Sequence, residues 1–308
     1  MKILVFGSNG LVGSSIVRKF TDNNLNVIGS TREDTDLFSL DQTVKKIDQE
    51  MPNVVVIAAA KVGGIHANNT QRFSFIIENL KISTNIFEAL SKYKEIKIIN
   101  IGSSCIYPLG VKNPIVEESL MTGKLEPTNS PYSMAKLTSV EIGKSLNAEK
   151  GHKILNLMPT NLYGPNDRFD EFNSHVIPGL MYKMHTAKIK DQSSVEIWGS
   201  GDPLREFMHV DDLSSAIEFL IKKETEHDIL NIGTGEEISI KNLAKEIQKV
   251  VGFKGKLIFN ENLPDGNPRK LLDSSKINEL GWKHKISLTE GLRKTYEWYL
   301  SNFPEVRS

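Results

Sequence analysis

Short, mainly apolar runs alternate with amphipathic stretches through the first half of the chain. After Lys2, residues 3–6 are wholly apolar, as are 54–60, and mostly apolar strands with isolated polar interruptions are read at 26–29, 96–101 and 154–158. Each is too short to cross a membrane, and most lack the alternation of a strand with one wet face, so they read as strands buried on both sides. Between them apolar residues recur at helical spacing: Val12, Ile16, Val17 and Phe20, then Phe73, Ile76, Ile77, Leu80, Phe87 and Leu90, then a helix over 132–149. Strands alternating with helices predict an α/β fold, a Rossmann-type doubly wound parallel sheet covered on both faces.

Beyond residue 165 the alternation becomes irregular. Strands are expected at 195–198, 229–232 and 256–259, and helices at 176–186, 212–222, 239–250 and 288–301. The pattern predicts a nucleotide-binding domain over 1–165 and a smaller mixed α/β lobe over 166–308, with some later segments returning to the first.

A chain of 308 residues, 39% apolar and 25% charged, has the composition of a folded protein with a full core. Lys plus Arg (38) equals Asp plus Glu (38), so no global field favours nucleic acid or an anionic membrane as partner. One cysteine, Cys105, allows neither an internal disulfide nor a thiolate metal cluster, which suits a reducing compartment. The start of the chain carries no signal-like segment, so the cytoplasm is the expected location.

The first strand runs directly into Gly7-Ser8-Asn9-Gly10-Leu11-Val12-Gly13, and a helix follows. Strand, glycine turn and helix N-terminus make a concavity for a pyrophosphate. Gly7 permits the turn, Gly10 lets a phosphate approach the backbone, and Gly13 lets helix and strand pack closely. The whole loop, including Ser8, Asn9, Leu11 and Val12, is therefore a candidate dinucleotide contact. An NAD site usually has a carboxylate at the end of the next strand to hold the ribose diol. This chain has Arg32 there, whose guanidinium can pair with a 2′-phosphate, so NADP(H) is expected. Alone, Arg32 reads equally well as a solvated loop charge. Ser30 and Thr31 offer further hydroxyls, Asp36 and Leu37 are expected beside the adenine, and Ala59 lies among small residues that leave room for the cofactor.

Reactive side chains are densest after the strand at 96–101, in Ser103-Ser104-Cys105-Ile106-Tyr107-Pro108 and then Tyr132-Ser133-Met134-Ala135-Lys136. On a helix Tyr132 and Lys136 leave one face, and the ammonium favours the phenolate over a phenol that ordinarily titrates near pH ~10. This outlines a carbonyl/alcohol redox site. Cys105, taken alone, reads equally as a small buried hydrophobe. Asp211 and Asp212, at a strand-to-helix junction, read as helix caps rather than catalytic carboxylates.

The order of glycine turn, Ser-Ser-Cys segment and Tyr-x-x-x-Lys helix resembles the extended short-chain dehydrogenase/reductase family. Four segments narrow the likeness to its GDP-L-fucose synthase branch: 103–108, 126–132, 159–165 and 173–178. Gly63-Gly64-Ile65 and Asn68-Asn69-Thr70 extend it over nearly the whole chain. The resemblance implies a bifunctional epimerase and NADPH-dependent oxidoreductase, which inverts C3 and C5 of GDP-4-keto-6-deoxy-D-mannose, reduces its C4 ketone and releases GDP-L-fucose. It implies Ser103 and Tyr132 around the C4 oxygen, Tyr132 as the proton donor, and Lys136 lowering the phenol pKa and holding the nicotinamide ribose. It implies Cys105 as the base beside the carbonyl and His175 as the acid on the opposite face. A free thiol titrates near pH ~8.5, so modest activation suffices.

The same resemblance implies that Pro159, Thr160, Asn161, Leu162 and His175 border the cofactor. It assigns Trp198 to the substrate site, Arg205 and Lys183 to the diphosphate, Asp265 to guanine or ribose and Lys270 to a phosphate. Ser104 is left either positioning substrate or satisfying backbone groups. Lys183 stands where the family often has arginine, keeping the charge and losing the bidentate fork. A homodimer joined through 71–90 and 132–149 is implied, and the scheme requires no metal. Three other readings stay in view: a 4,6-dehydratase, disfavoured because Ser104-Cys105 replaces its acidic pair; a 4-epimerase, which returns its cofactor unchanged; and a sensing homologue without turnover.

Overall fold

The computed structural model describes residues 1–263 and 265–303. In chain order its elements are β1 (Lys2–Phe6), α1 (Leu11–Asp22), β2 (Asn26–Ser30), α2 (Leu40–Glu50), β3 (Val54–Ile57), α3 (Ile65–Thr70), α4 (Arg72–Leu90), β4 (Lys97–Ile101), α5 (Ser130–Lys150), β5 (Ile154–Pro159) and β6 (Asn161–Tyr163). They continue with α6 (Val176–Ile189), β7 (Ser194–Trp198), β8 (Leu204–His209), α7 (Val210–Lys222), β9 (Ile229–Ile232), β10 (Glu237–Ser239), α8 (Ile240–Val251), β11 (Lys256–Asn260), β12 (Arg269–Lys270), α9 (Ser275–Leu280) and α10 (Leu288–Asn302).

The apolar runs become one parallel sheet in the order β2-β1-β3-β4-β5-β9, with Val5 opposite Val56 and Asn100 opposite Asn156. Successive residues of a strand point to opposite faces. Ile3, Val5, Val56 and Ile99 accordingly pack with Ile16 and Phe20 of α1 and Leu213, Ala216 and Leu220 of α7. Leu4, Phe6, Val55 and Ile98 pack with Ile47 of α2, Ile82, Ile86 and Phe87 of α4 and Leu146 of α5. A doubly covered sheet is the result, as the mainly apolar runs lead one to expect.

Two local expectations are corrected. The buried stripe of α4 is Phe75, Ile82, Ile86, Phe87 and Leu90, whereas Phe73 is exposed, because the helix turns its second apolar row outward. Asp211 and Asp212 do not cap α7. His209 is the capping residue, accepting from the Asp211 N–H at 3.3 Å, and Asp212 instead accepts from the Lys285 and Ile286 N–H groups at 3.0 Å each.

A second core gathers Tyr163, Phe169, Ile177, Met181, Met184, Leu243, Ile247 and Tyr299 from α6, α8, α10 and neighbouring segments. Its strands are short: β8 pairs with β6, β10 and β12, and β7 pairs with β11. The chain crosses back between the cores, for β8 leads into α7 on α1, and β9 extends the first sheet beside β5. Ile277 and Trp282 also join the first core.

The junction of the two cores is held by one fully buried carboxylate, Glu206 of β8. Its Oε1 accepts from the Thr234 and Gly235 N–H groups at 2.6 and 2.8 Å, and its Oε2 accepts from Leu272 N–H at 3.0 Å. A buried charge is tolerable only with such partners. Here they fix the turn after β9 and the segment after β12.

Candidate active site

The glycine turn lies where β1 ends against α1. Gly7 adopts φ +82°, and a Cβ there would lie 2.6 Å from the Ala59 Cα, so Ala59 forms the back of the turn. At Gly13 a Cβ would lie 2.1 Å from the Gly7 carbonyl oxygen, which is why α1 can start so close to the strand. Gly10 precedes α1 with extended backbone and no side-chain cap. Ser8, Leu11 and Val12 are partly exposed and Asn9 is exposed along this edge. The helix start and the room left by absent side chains fit a dinucleotide pyrophosphate.

Arg32 is exposed at the end of β2, with its guanidinium carbon 5.5 Å from the centre of the Phe38 ring, and it forms no ion pair among the described residues. The Asp36 carboxylate accepts from Phe38 N–H at 3.0 Å, and the Leu37 carbonyl accepts from Asn85 at 2.9 Å. The hydroxyls of Ser30 and Thr31, expected to face the cofactor, are instead turned into the loop. Ser30 donates to Thr35 at 2.9 Å and Thr31 to Asp34 at 2.8 Å, because the tight turn that follows β2 needs both.

The strand β4 ends in the turn that carries Ser103, Ser104 and Cys105. Ser103 Oγ caps it by accepting from Cys105 N–H at 3.1 Å and lies close enough to the Tyr132 phenol to act on it. Ser133 of α5 donates to the Cys105 carbonyl at 2.9 Å, which ties helix to turn. Phe75 meets the Tyr132 ring edge-on, 6.4 Å between centres. Lys136, one turn along α5, is buried and donates to the Ile101 carbonyl at 2.7 Å. Burial lowers its pKa to about 8.

The expected depression of the Tyr132 phenol is not what this arrangement gives. Burial, and next the charge at Cys105, push its pKa well above the ordinary phenol value, with the Ser103 hydroxyl pulling the other way. The reason is local: the Lys136 ammonium points at Ile101. Ser104 is buried in the turn, and its carbonyl accepts from Tyr107 N–H at 3.4 Å.

The opposite wall is brought up by the Gly63-Gly64 pair. Gly64 N–H donates to the Asn173 carbonyl at 2.9 Å, and a Cβ on Gly64 would lie 2.5 Å from the Ser174 carbonyl oxygen. Asn68 holds the pair by donating to the Gly63 and Gly64 carbonyls at 2.7 and 3.1 Å. This contact sets down residues 173–174 immediately before His175, the residue that opens α6. The imidazole is open to solvent yet crowded by protein atoms in the cleft. That crowding, followed by the Lys270 ammonium, lowers its pKa. Lys270 of β12 reaches Cys105, its Nζ donating to Sγ at 3.6 Å.

Arg205 of β8 lies opposite Lys270 and is half-buried. Burial lowers its pKa, partly offset by Cys105 and Asp265. Asp265 is exposed, and both of its oxygens are engaged by Ser200, from the N–H and the hydroxyl, at 2.8 Å each. Trp198 is partly exposed beneath Lys183, whose Nζ is 5.3 Å from the indole centre. Pro159 ends β5; Thr160 and Asn161 both donate to the Glu206 carbonyl, at 3.2 and 2.7 Å; and Leu162 packs against the first core. Thus Ser103, Cys105, Tyr132, His175, Arg205 and Lys270 form one connected cluster. Lys136 lies beneath it, Lys183 and Trp198 form a separate pair, and the Arg32 loop stands apart at the end of β2. Glu206, which holds the junction together, carried no sequence signal, since its partners are backbone groups far away in the chain; Asn68 was singled out only within the family resemblance, and its hold on the Gly63-Gly64 carbonyls was not read from the sequence.

A parallel sheet with a glycine turn at its C-terminal edge, and a Ser/Tyr/Lys set one strand further on, defines a dinucleotide-dependent enzyme of the extended short-chain class. Residues 3–233 match the NAD dependent epimerase/dehydratase family, and the chain belongs to it. It is 48% identical over 98% of its length to the putative GDP-L-fucose synthase 2 of Arabidopsis thaliana, covering 92% of that protein. It is 41% identical over 99% of its length to the GDP-L-fucose synthase of Escherichia coli (strain K12), covering 98% of it. The solved GDP-L-fucose synthetase of Naegleria fowleri bound to NADP superposes with a TM-score of 0.91 at 26% identity, over 99% of this chain and 96% of that one. Within the family the chain groups with the GDP-L-fucose synthases.

Proposed function

We propose that this chain makes GDP-L-fucose, by inverting C3 and C5 of GDP-4-keto-6-deoxy-D-mannose and reducing the C4 ketone. The observation that carries this reading is the thiol: Cys105 lies in the same cluster as Ser103, Tyr132 and His175 and contacts Lys270, and simple carbonyl reduction gives it nothing to do. Carbons flanking a ketone are acidic because the carbanion spreads onto oxygen. Hydroxyls of Ser103 and Tyr132 stabilise that oxygen as charge develops. Cys105 takes the proton from the flanking carbon. His175, held neutral at rest by crowding and by Lys270, takes up a proton as the negative diphosphate enters and delivers it to the other face. Tyr132 finally protonates the C4 oxygen.

NADP(H) is the cofactor, and when bound NADPH supplies the hydride to C4. The residues that would hold it are the loop from Gly7 to Gly13, Arg32, Asp36, Leu37, Ala59, Lys136, residues 159–162 and His175; the space kept free of Cβ atoms at Gly7 and Gly13 supports the fit. Arg205, Lys183, Trp198 and Asp265 would meet the nucleotide sugar. Exposed Phe73 of α4 and Met134 of α5 support a homodimer across these helices. No helix among the described residues is long and apolar enough to cross a membrane, and the single cysteine supports a cytoplasmic setting.

The test is turnover of GDP-4-keto-6-deoxy-D-mannose with NADPH in D2O. Deuterium should enter both C3 and C5, with one NADPH spent per sugar; a 4-epimerase would spend none. Cys105→Ala should bind NADPH as before and lose deuterium exchange. Exchange at the parental rate in that variant would remove Cys105 as the base.

A further inference from the structure

The family likeness places Lys270 near a phosphate, but its ammonium lies on a sulfur contributed 165 positions earlier in the chain. The placement is built rather than incidental. β12 runs parallel to β8 with Lys270 opposite Arg205, and the next two backbone N–H groups are pinned: Leu271 to Asn113 Oδ1 at 2.8 Å and Leu272 to Glu206 Oε2 at 3.0 Å. Lys270 is half-buried and forms no ion pair with a carboxylate among the described residues. The Cys105 side of the contact is fixed as well, by the Ser103 cap and the Ser133 bond to its carbonyl. An ammonium–sulfur hydrogen bond is strongest when the sulfur is anionic, because charge assists it. Lys270 is also the charge that acts on His175, the other end of the proposed proton-transfer pair.

We propose that Lys270 is a positioning residue for proton abstraction, its ammonium anchoring the Cys105 sulfur and balancing the negative charge that sulfur carries as a base. This rests on the reading of Cys105 as the base. In the step itself the thiolate forms an S–H bond with the proton of the flanking carbon. The C–H electron pair passes onto the C4 oxygen, and Lys270 keeps its own proton while its anionic partner is neutralised. One lysine thereby serves both ends of the transfer, favouring the anion at Cys105 and opposing an early cation at His175.

Cys105 is the only cysteine, so alkylation by iodoacetamide reports on this sulfur alone. The thiolate is the form that reacts. Lys270→Met should slow alkylation of the free enzyme at pH 7 severalfold, through loss of the charge-assisted contact to the reacting sulfur, and Lys270→Arg should recover most of that loss. The His175 ring signal, followed by NMR in histidine-labelled protein, should titrate at higher pH in Lys270→Met than in the parent. Affinity for GDP alone, by calorimetry, should be little changed. Lys270→Gln, with circular dichroism and NADPH binding as checks of folding, provides a second neutral variant.

An unchanged alkylation rate in both neutral variants overturns the proposal. So does a GDP affinity that falls tenfold while alkylation stays at the parental rate, which makes Lys270 a phosphate ligand. Deuterium exchange that survives in Cys105→Ala while Lys270→Met still slows alkylation overturns the base assignment beneath the proposal. That failure is distinct from the loss of the contact itself.

Discussion

Replacing Glu206 by glutamine removes one charge and one acceptor from the point where the two cores meet. The carboxylate is fully buried and takes N–H groups from Thr234, Gly235 and Leu272 at 2.6, 2.8 and 3.0 Å. Glutamine has one acceptor oxygen. If it faces Thr234 and Gly235, its NH2 points at the Leu272 N–H, and a buried donor is left without a partner. That costs about 1–3 kcal/mol, and the remaining bonds lose charge assistance worth about 1 kcal/mol each. A net loss of about 3 kcal/mol follows, a large part of the ~5–15 kcal/mol that holds a typical domain. In thermal unfolding followed by circular dichroism, this corresponds to a midpoint lowered by about 5 °C. Leu272 lies two residues beyond Lys270 of β12, so alkylation of Cys105 should change in the same variant. A midpoint within ~1 °C of the parent would refute the reasoning, since a desolvated donor cannot be so cheap.

Gly13→Ala places a methyl 2.1 Å from the Gly7 carbonyl oxygen, so NADPH should bind at least about tenfold more weakly in a fluorescence titration; an unaltered Kd refutes the packing account. Arg32→Ala should lower the preference for NADPH over NADH in kcat/KM by about tenfold, as loss of a charge-assisted phosphate contact would; an unchanged ratio removes Arg32 from that role. His152 is buried and its pKa is lowered from 6.5, chiefly by burial. The unfolded chain therefore binds a proton that the folded one resists, and the stability present above pH 6.5 is lost as pH falls below it. The urea midpoint should fall between pH 7.5 and 5.5, and His152→Gln should flatten that slope. An identical slope in the variant would assign the loss to other groups.

The first sheet was legible because its inner strands are buried on both faces, which writes them as mainly apolar runs with few polar interruptions. The glycine turn was legible because its demands are local: a positive φ at Gly7 and a close approach at Gly13. Ser103, Cys105 and Tyr132 were legible as candidates, and their assembly follows from short-range contacts such as Ser103 to Cys105 and Ser133 to the Cys105 carbonyl. The second core was harder. β12 is two residues long and β8 carries Arg205 and Glu206 among its apolar positions, so neither has a clear period. Phe73 and Phe75 are indistinguishable by composition, and only the roll of α4 decides which is buried. The contact between Lys270 and Cys105 depends on strand pairing across most of the chain, and no local pattern encodes it.

The return of the chain into the first sheet also limits how the molecule can be recombined. Severing it after residue 165 would separate the sheet from its edge strand β9 and strip α1 of the helix α7 that shields it. A chimera that exchanged everything downstream at that one junction would import a foreign sixth strand along with a foreign sugar pocket. Grafting a different specificity onto this scaffold requires at least two splice points, so that 210–232 stays with its native sheet while the flanking pieces change.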